Sequence, residues 1–137
     1  MKSLRIGIVA AAYHPEITDE MVKIAEARAK EQGCSTVVLR VGGCFDIPWG
    51  VQKLLPRREI DGVVTLGALV KGKTDHDVLI ANAAAWAILD LQMKIGKPVA
   101  LGITGPNQTY KQAVERIPRA ADVVDACILS LRGAAKT

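Results

Sequence analysis

Short apolar runs alternate with longer amphipathic stretches along the 137-residue chain, a pattern that predicts strands joined by helices. Leu4 to Ala10 reads as a buried strand, and Ala11 to Pro15 as its exit loop. Thr18 suits an N-cap, with Asp19 and Glu20 in the first turn behind it. Met21, Ile24, Ala25 and Ala29 then share one face and Lys23, Glu26 and Lys30 another, so a helix is predicted that closes near Gly33. Thr36 to Val41 is the second strand, Gly42 to Pro48 its exit loop, and Pro48 begins a helix that ends near Pro56. Gly62 to Leu66 is the third strand. It runs into the loop GALVKGKTDHD, Gly67 to Asp77, which opens a long helix after Thr74.

That helix is apolar nearly all round from Val78 to Leu91, interrupted by Asn82 and Asp90. A lone domain of this size covers one face of such a helix, not both, so the pattern predicts self-association through it. Val99 to Ile103 is the fourth strand and Thr104 to Asn107 a Gly-Pro loop. Thr109 and Gln112 have capping-box spacing for a short helix, Pro118 breaks it, and Arg119 to Leu131 is the last helix. Strands alternating with helices imply right-handed crossovers and one domain: an α/β protein, a three-layer α/β/α sandwich on a four-stranded parallel sheet. Ligands of such folds bind beyond the carboxyl ends of the strands. The exit loops AAYHP, GGCFD, GALVKGKTDH and GITGPNQ therefore converge on one edge.

Composition narrows the partners. Half the residues are hydrophobic and 23% charged, which excludes a disordered chain, and aromatics are only 4%, so aliphatic layers dominate. The net charge of +4 invites a nucleic-acid reading. Lys and Arg are nevertheless scattered, apart from Arg57-Arg58, and no aromatics interleave with them. Anionic small molecules or simple solubility fit that surface better than nucleic acid. Cys34, Cys44 and Cys127 are far apart with no C-x-x-C pair, which argues against a disulfide framework or zinc site and for a reducing, cytoplasmic setting. The N-terminal stretch MKSLRIGIVAAAYHP lacks a convincing leader, and no stretch is predicted to span a membrane.

The candidate chemistry gathers on the exit loops. His76 sits at a helix start, where the dipole lowers its proton affinity while Asp75 and Asp77 raise it, leaving a group able to exchange protons near neutral pH. A solvated surface histidine is the plain alternative. Gly72-Lys73-Thr74 offers backbone N–H groups, a charge and a hydroxyl suited to a phosphate, although a simple N-cap explains Thr74 too. Asp46, beside Phe45, could accept hydrogen bonds from a polyol or amine, or cap the next helix. Tyr13 could stack on a planar ring. Arg116 and Arg119 lie near a helix end, where pairing with that end is the ordinary explanation. His14 and His76 have no metal-ligand spacing with any Cys, so no metal is predicted.

Three motifs add a resemblance. GCFDIP at Gly43–Pro48, GALVKGKTDH at Gly67–His76 and KPVALGI at Lys97–Ile103 resemble the 6,7-dimethyl-8-ribityllumazine synthases, archaeal branch, and the likeness runs from IGIV at Ile6 to QAVER at Arg116. The resemblance implies a flavodoxin-like fold and condensation of 5-amino-6-ribitylaminouracil with 3,4-dihydroxy-2-butanone 4-phosphate, in riboflavin synthesis, without metal or organic cofactor. Tyr13 matches the aromatic that stacks on the pyrimidine, and His14 stands where an Asn is frequent. Cys44 and Asp46 match the loop holding the ribityl chain, where Asp46 replaces a longer Glu, with Phe45 between them. Val70 lines the ring pocket.

Lys73, Thr74 and Arg116 match the residues that bind phosphate, including inorganic phosphate, and His76 matches the proton-transfer histidine. Arg119 is the candidate to substitute for a lysine that some members carry nearby. Leu101, often Phe in the family, and Arg116 come from the adjacent subunit. Family members form homo-oligomers: pentamers, and in some cases icosahedral shells of twelve pentamers. No extra strand precedes Leu4 to brace a neighbour, which weighs against a shell, and no obvious insertion separates the last two helices, which leaves one open. The archaeal riboflavin synthase paralogue is the nearest alternative, but it lacks the histidine at position 76. A non-catalytic flavin or lumazine carrier is the other, and it would need no phosphate loop or Arg116.

Overall fold

The computed structural model describes residues 3–137; Met1 and Lys2, part of the stretch read as lacking a leader, lie outside them. Strands β1 (Arg5–Ala11), β2 (Ser35–Val41) and β3 (Gly62–Val70) form where the apolar runs predict them. They pair in parallel, with β2 on one side of β1 and β3 on the other. Beyond β3 lie β4 (Val99–Ala100) and β5 (Ile103–Gln108), also parallel to it. Five helices complete the chain: α1 (Pro15–Glu31), α2 (Ile47–Leu54), α3 (His76–Ile95), α4 (Tyr110–Glu115) and α5 (Arg119–Ala135).

Period-2 alternation sorts the strand side chains into two cores. Ile6, Ile8 and Ala10 of β1 with Val64, Leu66 and Ala68 of β3 pack on α1 and α5. Val9 and Ala11 with Val63 and Leu69 pack on α2 and α3. The result is the expected three-layer sandwich. Its outer layer is tied by Arg28 of α1, whose Nε and Nη2 donate to the two carboxylate oxygens of Asp125 on α5 at 2.7 and 3.1 Å.

Three boundaries differ from the sequence expectation. α1 starts at Pro15, directly after His14, because proline's fixed φ suits a first helical position. Thr18 is therefore not the N-cap: it is buried inside the helix, and its hydroxyl donates back to the His14 carbonyl at 3.3 Å. β3 continues through Val70, so Gly67 to Val70 are strand and not loop. Thr104 to Asn107 belong to β5, so a fifth strand joins the four expected.

β4 and β5 are one strand interrupted at Leu101-Gly102. Val63 faces Val99 and Gly67 faces Ile103, four residues further along both chains. At the break the buried Thr65 hydroxyl replaces the ladder, donating to the Ala100 carbonyl at 2.9 Å and accepting the Gly102 N–H at 3.1 Å. A Cβ on Gly102 would fall on the Thr65 carbonyl oxygen. Gly102→Ala is therefore expected to cost about 3 kcal/mol, seen as a fall of roughly 10 °C in melting temperature. An unchanged thermal melt would refute this close approach.

Lys97, in the turn before β4, donates all three ammonium protons to backbone: to the carbonyls of Leu55, Arg57 and Ile60 at 2.8–2.9 Å. It closes the connection between α2 and β3 from beneath.

α3 carries the two-sided apolar pattern into space. Of its 20 residues, only Asp77, Ala84 and Ile88 are fully buried. Leu79, Trp86 and Met93 are 63–74% exposed, and Leu89 is 48% exposed. By length and composition alone this helix is apolar enough to cross a membrane, which corrects the expectation that no stretch would be. Here it packs on the Val9–Val63 core through Ile88, with Ile80, Ala81, Leu91 and Ile95 beside it, and its polar start forms part of the carboxyl edge.

Candidate active site

Beyond the carboxyl ends of β1 and β3 lies a cavity of about 360 Å³. β1 runs out into Tyr13 and His14, which form one wall. The 3₁₀ turn Cys44–Asp46 after β2 supplies Gly43, Cys44 and Phe45 as a second. Ala68, Leu69 and Val70 of β3, made available by its extra length, form the floor. Gly72, Thr74 and the first residues of α3, His76 and Asp77, close the remaining side with Ile80. Seven predicted site residues thus share one hollow: Tyr13, His14, Cys44, Phe45, Val70, Thr74 and His76.

Four predicted residues are elsewhere. Leu101 and Arg116 line a second cavity of about 280 Å³ with Arg119, Gly102, Thr104 and Gly105. That hollow lies against Met21, Ala120 and Val123 of the α1–α5 layer, whereas the first meets α3 of the opposite layer. Lys73 is exposed between Gly72 and Thr74 but is not part of the cavity wall. Asp46 turns inward on its own loop, its Oδ2 accepting the Gly43 N–H at 3.0 Å, instead of capping α2 through its side chain.

The side chains differ in how far they are committed. His76 is exposed at the first position of α3, with no side-chain hydrogen bond among the described residues. Cys44 is buried, and that burial pushes its thiol up to about 12, so it is a neutral group and not a nucleophile at neutral pH. Arg116 donates from Nη1 to the buried Gln108 Oε1 at 2.7 Å. Gln108 Nε2 donates to Thr104 Oγ1 at 2.8 Å, and the Thr104 hydroxyl in turn donates to the Gly67 carbonyl at 3.4 Å. The guanidinium is therefore braced from the strand that floors the first cavity.

Two contributors were not singled out by sequence. Asp77 is 5% exposed, and its Oδ2 accepts the Asn107 N–H at 2.9 Å. That hydrogen bond holds its carboxyl below the usual range against the opposing effect of burial, with help from the N–H groups of Val78 and Asp77 and the charge of Lys71. It fastens the start of α3 to the irregular stretch of β5 after Pro106, where Asn107 has φ 63°. Gln108 is the other. Neither had a legible signal, since both act through contacts set by folding. Among the described residues, no three His, Cys, Asp or Glu side chains gather as metal ligands.

Strand order 2-1-3-4, a hollow past the carboxyl edge and a phosphate-compatible loop at a helix start define a flavodoxin-like α/β protein with a small-molecule site. A flavone reductase shares the fold, with TM-score 0.51 and 14% identity over 94% of this chain and 63% of its own. Narrower matches come from sequence. The 6,7-dimethyl-8-ribityllumazine synthase family model matches residues 3–133, and this chain belongs to that family. Proteins named 6,7-dimethyl-8-ribityllumazine synthase from Methanopyrus kandleri and Picrophilus torridus are 45% and 42% identical to it, over 96% and 94% of this chain and 94% and 96% of their own. One from Saccharolobus islandicus is 46% identical over 93% of this chain and 84% of its own.

Proposed function

We propose that this protein is a transferase that makes 6,7-dimethyl-8-ribityllumazine from 5-amino-6-ribitylaminouracil and 3,4-dihydroxy-2-butanone 4-phosphate, with loss of phosphate and water. The observation that carries the reading is the GKTDH segment of a lumazine synthase family member standing at the wall of a ligand-sized cavity. Tyr13 offers an exposed ring for stacking, and Val70 an apolar floor. Cys44, Phe45 and Asp46 form the loop assigned to the ribityl chain, and His14 stands beside Tyr13. Lys73, Thr74 and the start of α3 take the phosphate, and His76 moves protons. Holding two substrates in one hollow supplies much of the acceleration.

Leu101 and Arg116 lie on the other layer, so they serve a neighbouring subunit's cavity and the working site forms between chains. The exposed apolar face of α3 supports a ring held through that helix, a pentamer. Whether pentamers close further into a shell is read from static light scattering. Three buried free cysteines fit a reducing cytoplasm. Mixing both substrates with the protein is expected to raise lumazine absorbance far faster than in the protein-free blank. No acceleration would overturn the enzyme reading.

A further inference from the structure

His14 is the one cavity residue whose backbone is strained and whose side chain has partners outside the cavity. Its φ and ψ are 59° and 60°, the left-handed region that non-glycine residues occupy rarely and whose occupants cluster at active sites. Its Nδ1 lies 3.6 Å from Glu16 Oε1, just beyond hydrogen-bond length and of the kind that tightens when a ligand is bound. The same Glu16 oxygen accepts the Tyr110 hydroxyl at 2.9 Å, a contact that reaches from the first turn of α1 to the first residue of α4. The three rings lie together, Tyr13 edge-on to His14 at 4.5 Å and Tyr110 at 6.0 Å.

Glu16 is held ionised. Its own backbone N–H and then the Tyr110 hydroxyl lower its pKa, while the Tyr110 phenol is raised in return. A carboxylate fixed by a phenol on one side presents its lone pairs to the imidazole on the other. With Nδ1 turned to Glu16, Nε2 is the nitrogen at the far side of a ring that lines the cavity.

We infer that Glu16 and Tyr110 are positioning residues that hold His14 as its Nδ1–H tautomer, so that Nε2 serves as a hydrogen-bond acceptor for a hydroxyl or amine N–H of the ribitylamino-pyrimidine. The ligand class rests on the proposed function; the tautomer does not. An amide at this position both donates and accepts, and its orientation is free to reverse. A neutral imidazole locked by Glu16 accepts only at Nε2. Glu16 and Tyr110 thus convert a tolerant contact into a directional one.

The chain's two histidines make the test direct. Imidazole ¹⁵N spectra are recorded at about pH 8, above the ordinary imidazole range, with His76→Gln assigning the pair. His14 is expected as the Nδ1–H form in the wild type. Glu16→Ala should shift it toward the Nε2–H form that free histidine prefers, and Glu16→Gln, whose amide oxygen still accepts, should retain the original. In the assay, Glu16→Ala should raise KM for the pyrimidine several-fold, with kcat and the KM for the phosphate substrate changed less than about twofold. Tyr110→Phe, the gentler variant, should move KM the same way by less. An Nε2–H form in the wild type, or an unchanged tautomer in Glu16→Ala, overturns the inference. A wild type that makes no lumazine overturns the proposed function while leaving the spectra to decide the tautomer.

Discussion

Replacing His76 with alanine is expected to slow lumazine formation by about 10²–10⁴-fold, the range a positioned general acid–base group contributes. The loss should fall on kcat, because forming and dehydrating an imine, expelling phosphate and closing a ring each require a proton moved in the transition state. His76 is exposed at the first position of α3 and bonds no other described side chain, so the fold should be untouched. Single-turnover rates at saturating substrate check the first expectation and a thermal melt the second. A rate equal to wild type would refute the role.

Arg116→Ala is expected to raise KM for the phosphate substrate by about 10–10²-fold, the worth of a charge-assisted hydrogen bond to an anion. The affinity for the pyrimidine should barely move. Because the buried Gln108 Oε1 loses its donor in this variant, a melt is measured beside the kinetics. The sharper result comes from mixing. Each variant alone is expected to be impaired, yet in the proposed ring, co-assembled from equal amounts of His76→Ala and Arg116→Ala chains, about a quarter of the interfaces would join an intact His76 to an intact Arg116. Co-expressed mixtures should recover that fraction of wild-type activity. Activity no higher than the mean of the two parents would show that each chain completes its own site.

The layers and the parallel sheet were legible in sequence, as was the convergence of the first three exit segments, because hydrophobic period and strand–helix alternation dictate them. The fourth, GITGPNQ, folds into β5 and lines the second cavity instead. Errors fell where glycine and proline were taken as punctuation. Gly67 sits inside β3 because a Cβ there would meet the Cys44 sulfur at 2.6 Å, a close approach and not a turn. Gly105-Pro106 lies within β5 at the register shift between Thr104 and Gln108, and among the described residues β5 pairs only with β3, so proline's missing donor costs the sheet little. Seven of the cavity's residues were found because they sit on or beside the exit loops. Glu16, Asp77, Gln108 and Tyr110 were not, since Tyr110 meets Glu16 across 94 positions of chain and no local pattern announces it.

Lys97 stands in one of the three motifs that carry the family resemblance, yet its charge is spent on the backbone. A tetrahedral ammonium sends three protons in diverging directions, and the carbonyls of Leu55, Arg57 and Ile60 meet all of them. A planar guanidinium fork cannot reproduce that tripod from the same stem, so arginine is no conservative replacement here. The tripod also leaves the amine with no proton to lend to catalysis. The cation in KPVALGI is a rivet in the scaffold, and motif strings carry architecture alongside chemistry.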